Sequence, residues 1–514
     1  MEPAMKWNLN FFDDKEYEQA KPVEKAKVSP FTSRLHVAMA SPEIAPFAKT
    51  GGLGDVLGSL PKALERLGVR VSLIMPAYRS VLQGDFQLED AGIDFTVPIS
   101  SRWEKGMLLK TKAGGSMTVY LIHAEKYFDR EHFYGVHGHD YVDNAERFIF
   151  FTRAVLEVLK IDPPDILHAH DWQSALAVVF LKAQPQLYPE LSSVKTVFTV
   201  HNLGYQGIFW NLDWHLLNLD WGFFTPRYLE FYGKINFLKG GLVFSDVITT
   251  VSPTYAEEIT TRERGFGLDG VLRERKNSLV GILNGADYDV WNPEADPYII
   301  KTYGLRDVSG KRVCKAELQR HFGLSDSPDT PLVGMVSRLI NQKGFDLLEK
   351  AIDELLSRDI QFVLLGTGEK RHEEFWSKIP FRHPTKAGVK IAFDEALSHK
   401  VIAGCDMFLM PSQYEPSGLT QIYSLRYGTI PIVRATGGLK DTIEEFDSSS
   451  GTGNGFVFVR YEADDLLDSL DRALAVFHRK KDWVALMKNA MGCDFSWERS
   501  ARAYLDLYRK LTAT

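Results

Sequence analysis

Several short segments of this sequence gather residue types that can handle a phosphate-bearing ligand. Lys49-Thr50-Gly51-Gly52-Leu53-Gly54-Asp55 stands between an apolar run that reads as a strand and a stretch with helical spacing. Adjacent glycines let backbone N–H groups approach an anion, a helix N-terminus adds a partial positive charge, and Lys49 adds a full one. That combination suits a diphosphate. The pattern is neither GxGxxG nor a P-loop, and a tight strand-to-helix turn accounts for the glycines as well. Ser337-Arg338-Leu339-Ile340-Asn341-Gln342-Lys343-Gly344 also follows a strand-like run. There Arg338 offers a planar fork and Lys343 a mobile point charge, a pair able to neutralise charge growing on a phosphate leaving group, although basic loop residues are commonly just solvated.

A third segment is Tyr414-Glu415-Pro416-Ser417-Gly418-Leu419-Thr420. Gly418, Leu419 and Thr420 would open a helix whose first N–H groups can take a phosphate. Glu415, just ahead of them, could face the positive anomeric carbon of a sugar, or serve only as a carboxylate favoured near a helix start. His137-Gly138-His139-Asp140 and His168-Ala169-His170-Asp171 are look-alike segments, and His201-Asn202 adds a histidine at a strand end. Alternate histidines on a strand share a face, so either segment could begin a metal site. No HExxH or cysteine partner accompanies them, and polar lining of a cleft is the commoner meaning. Residues 205–232 are crowded with aromatics, including Tyr205, Trp210, Trp214, Trp221 and Tyr232. Such rings suit the C–H faces of sugars, while core packing is the expected role for most of them.

The elements that must position these groups repeat one theme. Leu35 to Ala40 reads as a buried strand, Val56 to Leu67 has helical spacing, and Val69 to Pro76 reads as another strand. That is a βαβ unit and implies a parallel sheet. Short strands are expected at Ile166-Leu167, Lys195 to Val200 and Val247 to Val251. After a punctuated stretch around Asn292 to Pro331 the pattern restarts at Leu332 to Val336, with a helix over Gly344 to Ser357 and strands at Gln361 to Leu365, Val389 to Phe393, Met407 to Pro411 and Ile430 to Val433. Two α/β halves result, and nearly all the unusual residues fall at strand ends, where open parallel sheets bind ligands. Two Rossmann-like halves facing across a deep cleft is the architecture expected.

The bulk properties narrow the field. A chain of 514 residues exceeds one ordinary core. With 45% hydrophobic and 25% charged residues it is of ordinary globular composition. A net charge of -7 argues against a general nucleic-acid binder. Cys314, Cys405 and Cys493 lie far apart, which fits a reducing compartment and offers no zinc framework. No run approaches the roughly 20 apolar residues of a membrane span. The first 34 residues lack the apolar core of a secretory signal and are expected to be a mobile tail. A cytoplasmic protein is the expectation.

Taken in order and spacing, these motifs resemble the bacterial glycogen synthase and plant starch synthase family, glucosyltransferases of the two-domain GT-B fold. The resemblance runs from about Leu35 to the C-terminus. It rests on the segments at Lys49, Ser337 and Glu415, with His168-Ala169-His170-Asp171-Trp172, Thr199-Val200-His201-Asn202, Val251-Ser252-Pro253-Thr254-Tyr255, Asn284-Gly285-Ala286-Asp287 and Asp494-Phe495-Ser496-Trp497. It implies that Lys49, Gly51 and Gly52 contact donor phosphates, that Asp55 lies near the sugar, and that Arg338 and Lys343 hold the diphosphate. It further implies Glu415 at the reacting glucose, Asp171, His201 and Asn284 lining the glucose site, and Ser417 through Thr420 at the donor.

Three departures stand out. Ser417 replaces the family's usual Cys, Phe393 stands where a Tyr often lies near the adenine, and Tyr423 replaces the second glutamate of a broader E-x7-E pattern. The implied domains are 35–305 on the acceptor side, 306–495 on the nucleotide-sugar side, and a helix over 496–514 crossing back to the first domain. The implied reaction is transfer of glucose from ADP-glucose to the non-reducing end of an α-1,4-glucan, glycogen or a maltooligosaccharide, with retention of configuration and without a metal or other cofactor. UDP-glucose is the alternative donor. A non-catalytic glucan-binding relative, a metal hydrolase built on the two His-x-His-Asp segments, and a phosphorylase are the competing classes; no pyridoxal lysine is marked.

Overall fold

The computed structural model describes residues 34–513 apart from 115, 116 and 137. The tail expected over 1–34 lies, except for Arg34, outside the described residues, as does His137. The chain divides into two compact units. One comprises the described residues of Met1–Thr250, Ile259–Val280 and Ala501–Thr514, the other Val251–Glu258 and Gly281–Ser500. Residues from Gly281 onward group with the second unit for a local reason. Ala286 bridges to Ser496, Ala286 N–H bonds Phe495 O, and Gly285 lies so close to Trp497 that a Cβ there would stand 2.5 Å from its Cα.

The first unit is built on a nine-stranded sheet. From edge to edge its strands are Leu279–Gly281, Val247–Thr250, Lys195–Val200, Ile166–His170, His36–Ala40, Arg70–Pro76, Met117–His123, Arg102–Ala113 and Glu89–Ile99. The central strands pair in parallel, with Val37 opposite Val71 on one side and Ile166 on the other. The last two, together with Met117–His123, add an antiparallel margin. This margin departs from the purely parallel sheet expected. Its two outer strands are largely exposed or half-buried, Glu89–Ile99 alternating between the two along much of its length, and they lack the continuous buried run that marks a strand of a parallel core. His36–Ala40 is wholly buried, consistent with helices on both faces of a parallel core.

The second unit holds six parallel strands in the order Ala387–Ile391, Gln361–Gly366, Leu332–Val336, Met407–Met410, Ile430–Arg434, Phe456–Phe458. The chain winds outward in one direction from Leu332–Val336 and then in the other from Met407–Met410. The strand order therefore reverses between these two neighbours, which is the doubly wound Rossmann arrangement. In the first unit the reversal falls between His36–Ala40 and Ile166–His170. At each reversal the loops leaving adjacent strands diverge to opposite faces and open a crevice at the carboxyl ends. The glycine loop and Asp171 follow the first pair of strands. The loop of Arg338 and that of Glu415 follow the second.

Helix Phe345–Ser357 buries Phe345, Leu348, Ile352 and Leu355 against the second sheet at helical spacing. The last helix, Trp497–Thr512, buries Ala501, Tyr504, Leu505 and Tyr508 along one face. Among the described residues no helix is long and apolar enough to cross a membrane.

Candidate functional site

In the first unit the loop after His36–Ala40 is organised by a residue the sequence did not single out. Glu43 is buried, and its carboxylate accepts from Thr50 N–H at 2.5 Å, Thr50 hydroxyl at 2.7 Å and Tyr134 hydroxyl at 2.6 Å. Those bonds hold the segment that turns into helix Gly52–Arg66. Gly51 is the N-cap of that helix and offers no side chain to its first N–H groups. Gly51 and Gly52 are exposed, with nothing within 4 Å of where a Cβ would be. Their N–H groups thus present an open, partly positive helix end, the chemistry of an anion site. Lys49 and Asp55, expected at phosphate and sugar respectively, pair with each other at 2.7 Å and both stay partly exposed. The lone acid Glu43, between an apolar strand and Thr50, was the sequence signal for this clamp.

Asp171 ends the neighbouring strand in a backbone conformation, φ 58° and ψ 178°, that few residues other than glycine adopt. Strain of this kind collects where a side chain must be aimed. Its carboxylate accepts from His201 N–H at 2.7 Å. Burial pushes the Asp171 carboxyl up to about 7, with the Glu43 charge acting in the same direction and the N–H groups of His201 and Asn202 opposing. Near neutral pH it is therefore poised between acid and carboxylate. His201 Nε2 and His170 Nδ1 share a hydrogen bond of 3.0 Å. Burial lowers His201 to about 3, so it acts as a neutral imidazole rather than a cation.

Among the described residues the candidate histidines do not form a metal cluster. Both ring nitrogens of His168 are engaged, Nδ1 with Tyr508 hydroxyl at 2.7 Å and Nε2 with Thr199 Oγ1 at 2.6 Å. His168 thereby ties its strand to the last helix, and burial first, then His201, lowers it to about 3. His139 and Asp140 form an exposed bridge strand elsewhere. Among the described residues no three His, Cys, Asp or Glu side chains are grouped to hold a metal ion. Of the aromatics at 205–232, Trp214 is core, whereas Tyr205, Trp210, Trp221 and Tyr232 are exposed.

The second unit brings Lys343 and Glu415 together. Lys343 Nζ lies 2.6 Å from Glu415 Oε2, which also accepts from Ser412 hydroxyl at 3.1 Å. Two features of the backbone make this meeting possible. Gly344, at φ 84°, passes so close to Pro411 that a Cβ would lie 2.1 Å from its carbonyl oxygen. Gln413 N–H then bonds Gln342 O at 2.9 Å, locking the basic loop to the Glu415 loop. The Arg338 side chain is exposed and makes no hydrogen bond or ion pair among the described residues, so its fork is available to a ligand.

Behind Glu415 runs a glycine pair that the sequence analysis missed. A Cβ at Gly437 would meet Glu415 O at 2.0 Å, and one at Gly438 would meet Ser417 O at 1.9 Å. Gly438 N–H donates to Glu415 O at 3.1 Å. The signal was a Gly-Gly at the start of a helix, as at Gly51-Gly52. Gly418, at φ 65°, turns the chain into helix Thr420–Arg426, and Gln421 Nε2 donates to the carbonyls of Ser417 and Gly418 at 3.0 and 2.9 Å. Ser417 and Leu419 lie in that turn, Ser417 buried. Tyr423 stacks on Trp291 at 4.2 Å, which stacks in turn on His399 at 3.7 Å, so this ring is spent on packing. Phe393, just past the end of an outer strand, exposes 85% of its surface. Asn284 is buried in the second unit, with Oδ1 lacking a partner among the described residues.

A family model described as starch synthase catalytic domain covers residues 36–274, and one described as glycosyl transferases group 1 covers 319–484. A glycogen synthase of Koribacter versatilis is 47% identical, over 93% of this chain and 98% of its own length. One from Pseudothermotoga lettingae is 45% identical, over 93% and 99%. Among solved structures, the catalytic domain of starch synthase IV from Arabidopsis thaliana, bound to ADP and acarbose, superposes with a TM-score of 0.86 at 36% identity, covering 94% of this chain and all of that one. Sucrose-phosphate synthase from Thermosynechococcus elongatus shares the fold, with a TM-score of 0.59 at 17% identity.

Proposed function

The chain belongs to the glycogen synthase and starch synthase family of glycosyltransferases with the GT-B fold, and from that premise we propose that it transfers glucose from ADP-glucose to the non-reducing end of an α-1,4-glucan with retention of configuration. The observation that carries the reading is the Lys343–Glu415 pair, with the uncommitted side chain of Arg338 in the same basic loop, at the strand-order reversal of the second unit. Arg338 and Lys343 meet the donor's diphosphate there. As the bond from glucose C1 to the phosphate oxygen breaks, negative charge grows on ADP and positive charge on the sugar. The two cations stabilise the first and the Glu415 carboxylate the second. With two fixed positive charges on the leaving group, no metal ion is required for that task.

The acceptor's 4-hydroxyl then forms the new bond to C1 on the face that ADP leaves, and its proton passes to the departing phosphate oxygen. Retention follows without a covalent enzyme intermediate. The first unit serves the acceptor side. There neutral His201 and the poised carboxyl of Asp171 offer hydrogen bonds to sugar hydroxyls, and the helix end at Gly51 and Gly52 receives phosphate charge. Phe393 provides an exposed face for a base to stack on.

The test is incorporation of labelled glucose into glycogen, with ADP-glucose and UDP-glucose compared side by side and a chelator present in a parallel series. Incorporation from ADP-glucose, insensitive to chelator and nearly abolished by Glu415→Ala or Arg338→Ala with the fold intact, is expected. No incorporation from either donor overturns the reading, and a preference for UDP-glucose overturns its donor.

A further inference from the structure

The first unit contains a cavity of about 700 Å³ that none of the proposed chemistry uses. This lies within the range of small-molecule sites. One wall is the segment Ala45-Pro46-Phe47, and another is the helix Gly52–Arg66 through Leu57, Gly58 and Lys62. The remainder comes from Asp85 to Glu89 and from the ends of the antiparallel strands, including Lys110 and Lys112. Phe47 and Phe86 pack with ring centroids 4.8 Å apart and, with Leu57 and Tyr120, give the cavity an apolar side.

Its charges are unevenly satisfied. Lys110 lies 3.6 Å from Glu89, and Lys112 Nζ donates to Thr118 hydroxyl at 2.9 Å. Lys62 is half-buried, and its side chain makes no ion pair or hydrogen bond among the described residues. An ammonium with no ion pair among the described residues, in a lining where Lys62, Lys110 and Lys112 outnumber Asp85 and Glu89 and aromatic and aliphatic groups supply an apolar wall, is complementary to a small organic anion with an apolar body.

We propose that this cavity is a second ligand site, for a small organic anion whose phosphate or carboxylate pairs with Lys62, and that its occupancy is coupled to the glycine loop. The coupling has a physical route. The wall Ala45-Pro46-Phe47 runs directly into Lys49-Thr50-Gly51-Gly52, and the helix bearing Lys62 is the one whose N-terminus that loop forms. The two walls are in tight contact, since a Cβ at Gly58 would lie 3.0 Å from both Cβ and O of Ala45. A ligand filling the cavity restrains both, and a loop already ordered loses less freedom on binding a phosphate. Anion binding at one site therefore strengthens nucleotide binding at the other, and by linkage the reverse.

The experiment uses phenyl phosphate and benzoate as probes, titrated into the full-length protein with and without saturating ADP. Lys62→Glu is expected to weaken binding of at least one probe about 10-fold or more, Lys62→Gln less, and Lys62→Arg to preserve it. ADP affinity without probe should stay within about 2-fold in all three variants. The probe that binds more tightly identifies the headgroup. In wild type, ADP should tighten probe binding about 3-fold or more. Equal probe affinity in wild type and Lys62→Glu overturns the site, and so does loss of probe binding on adding ADP, because the probe then sits at the glycine loop. Tight probe binding indifferent to ADP overturns the coupling. The coupling rests on the proposed phosphate role of the glycine loop, whereas the Lys62 comparison is independent of glucose transfer.

Discussion

Removing Lys343 should destabilise the second unit, and removing Glu415 as well should give part of that stability back. At 2.6 Å, with an effective dielectric of about 20, the pair's gross attraction is roughly 6 kcal/mol. Glu415 keeps 7% of its side-chain surface exposed and Lys343 20%, so the two losses are unequal. Without Lys343 the carboxylate is left with the Ser412 hydroxyl and little water. The lysine, if left alone, swings to solvent. Allowing for the desolvation cost that the lysine no longer bears, Lys343→Ala should cost about 2–4 kcal/mol, at or just below the figure for breaking a fully buried pair. Glu415→Ala should cost about 1 kcal/mol. For a unit of this size the first figure is a fall of about 5–15 °C in its melting transition. Calorimetric scans of wild type, both single variants and the double variant provide the cycle. The double variant should melt above Lys343→Ala, with a coupling of about 2 kcal/mol. Additive losses, or a Lys343→Ala midpoint within 1 °C of wild type, would refute the claim that the lysine neutralises a buried charge.

Asp171 binds its proton more tightly folded, at about 7, than at its ordinary value of 3.8, so its contribution to stability is complete below about pH 4 and is lost as pH rises through 7. Asp171→Asn should therefore gain on wild type by ~3 kcal/mol between pH 4.5 and 8.5; a constant difference in melting midpoint across that range contradicts the burial argument. Gly438→Ala places a methyl group 1.9 Å from Ser417 O, a backbone atom that no rotamer change can clear. It should cost about 2–3 kcal/mol and most of the transferase activity, whereas Gly492→Ala, with nothing within 4 Å, should be neutral in both assays. Phe393→Ala should weaken ADP binding about 10-fold through lost stacking while leaving the melting midpoint unchanged, because the ring is 85% exposed. Phe393→Tyr should stay within about 3-fold by calorimetric titration.

Much of this was legible along the chain because it is local. Strands such as Lys195–Val200 and helices such as Phe345–Ser357 announce themselves by apolar spacing, and loops that bind phosphate by glycines and cations at strand ends. Two α/β units and the identity of the basic and glycine loops could therefore be read along the chain. Their order and spacing determined the family.

Which of these groups meet is a matter of how the chain folds in space. Lys343 and Glu415 are 72 residues apart and join because Gly344 lets one loop graze Pro411. Glu43 reaches Tyr134 across 91 residues, and His168, a metal candidate in sequence, is held by Tyr508 across 340. Tyr423, in the place of a second glutamate, is absorbed in a stack with Trp291. The physical reason is common to these cases. Periodicity reports which face of an element is buried, but the partner that neutralises a charge or fills a hydrogen bond is chosen by loops from distant strands converging where the strand order reverses.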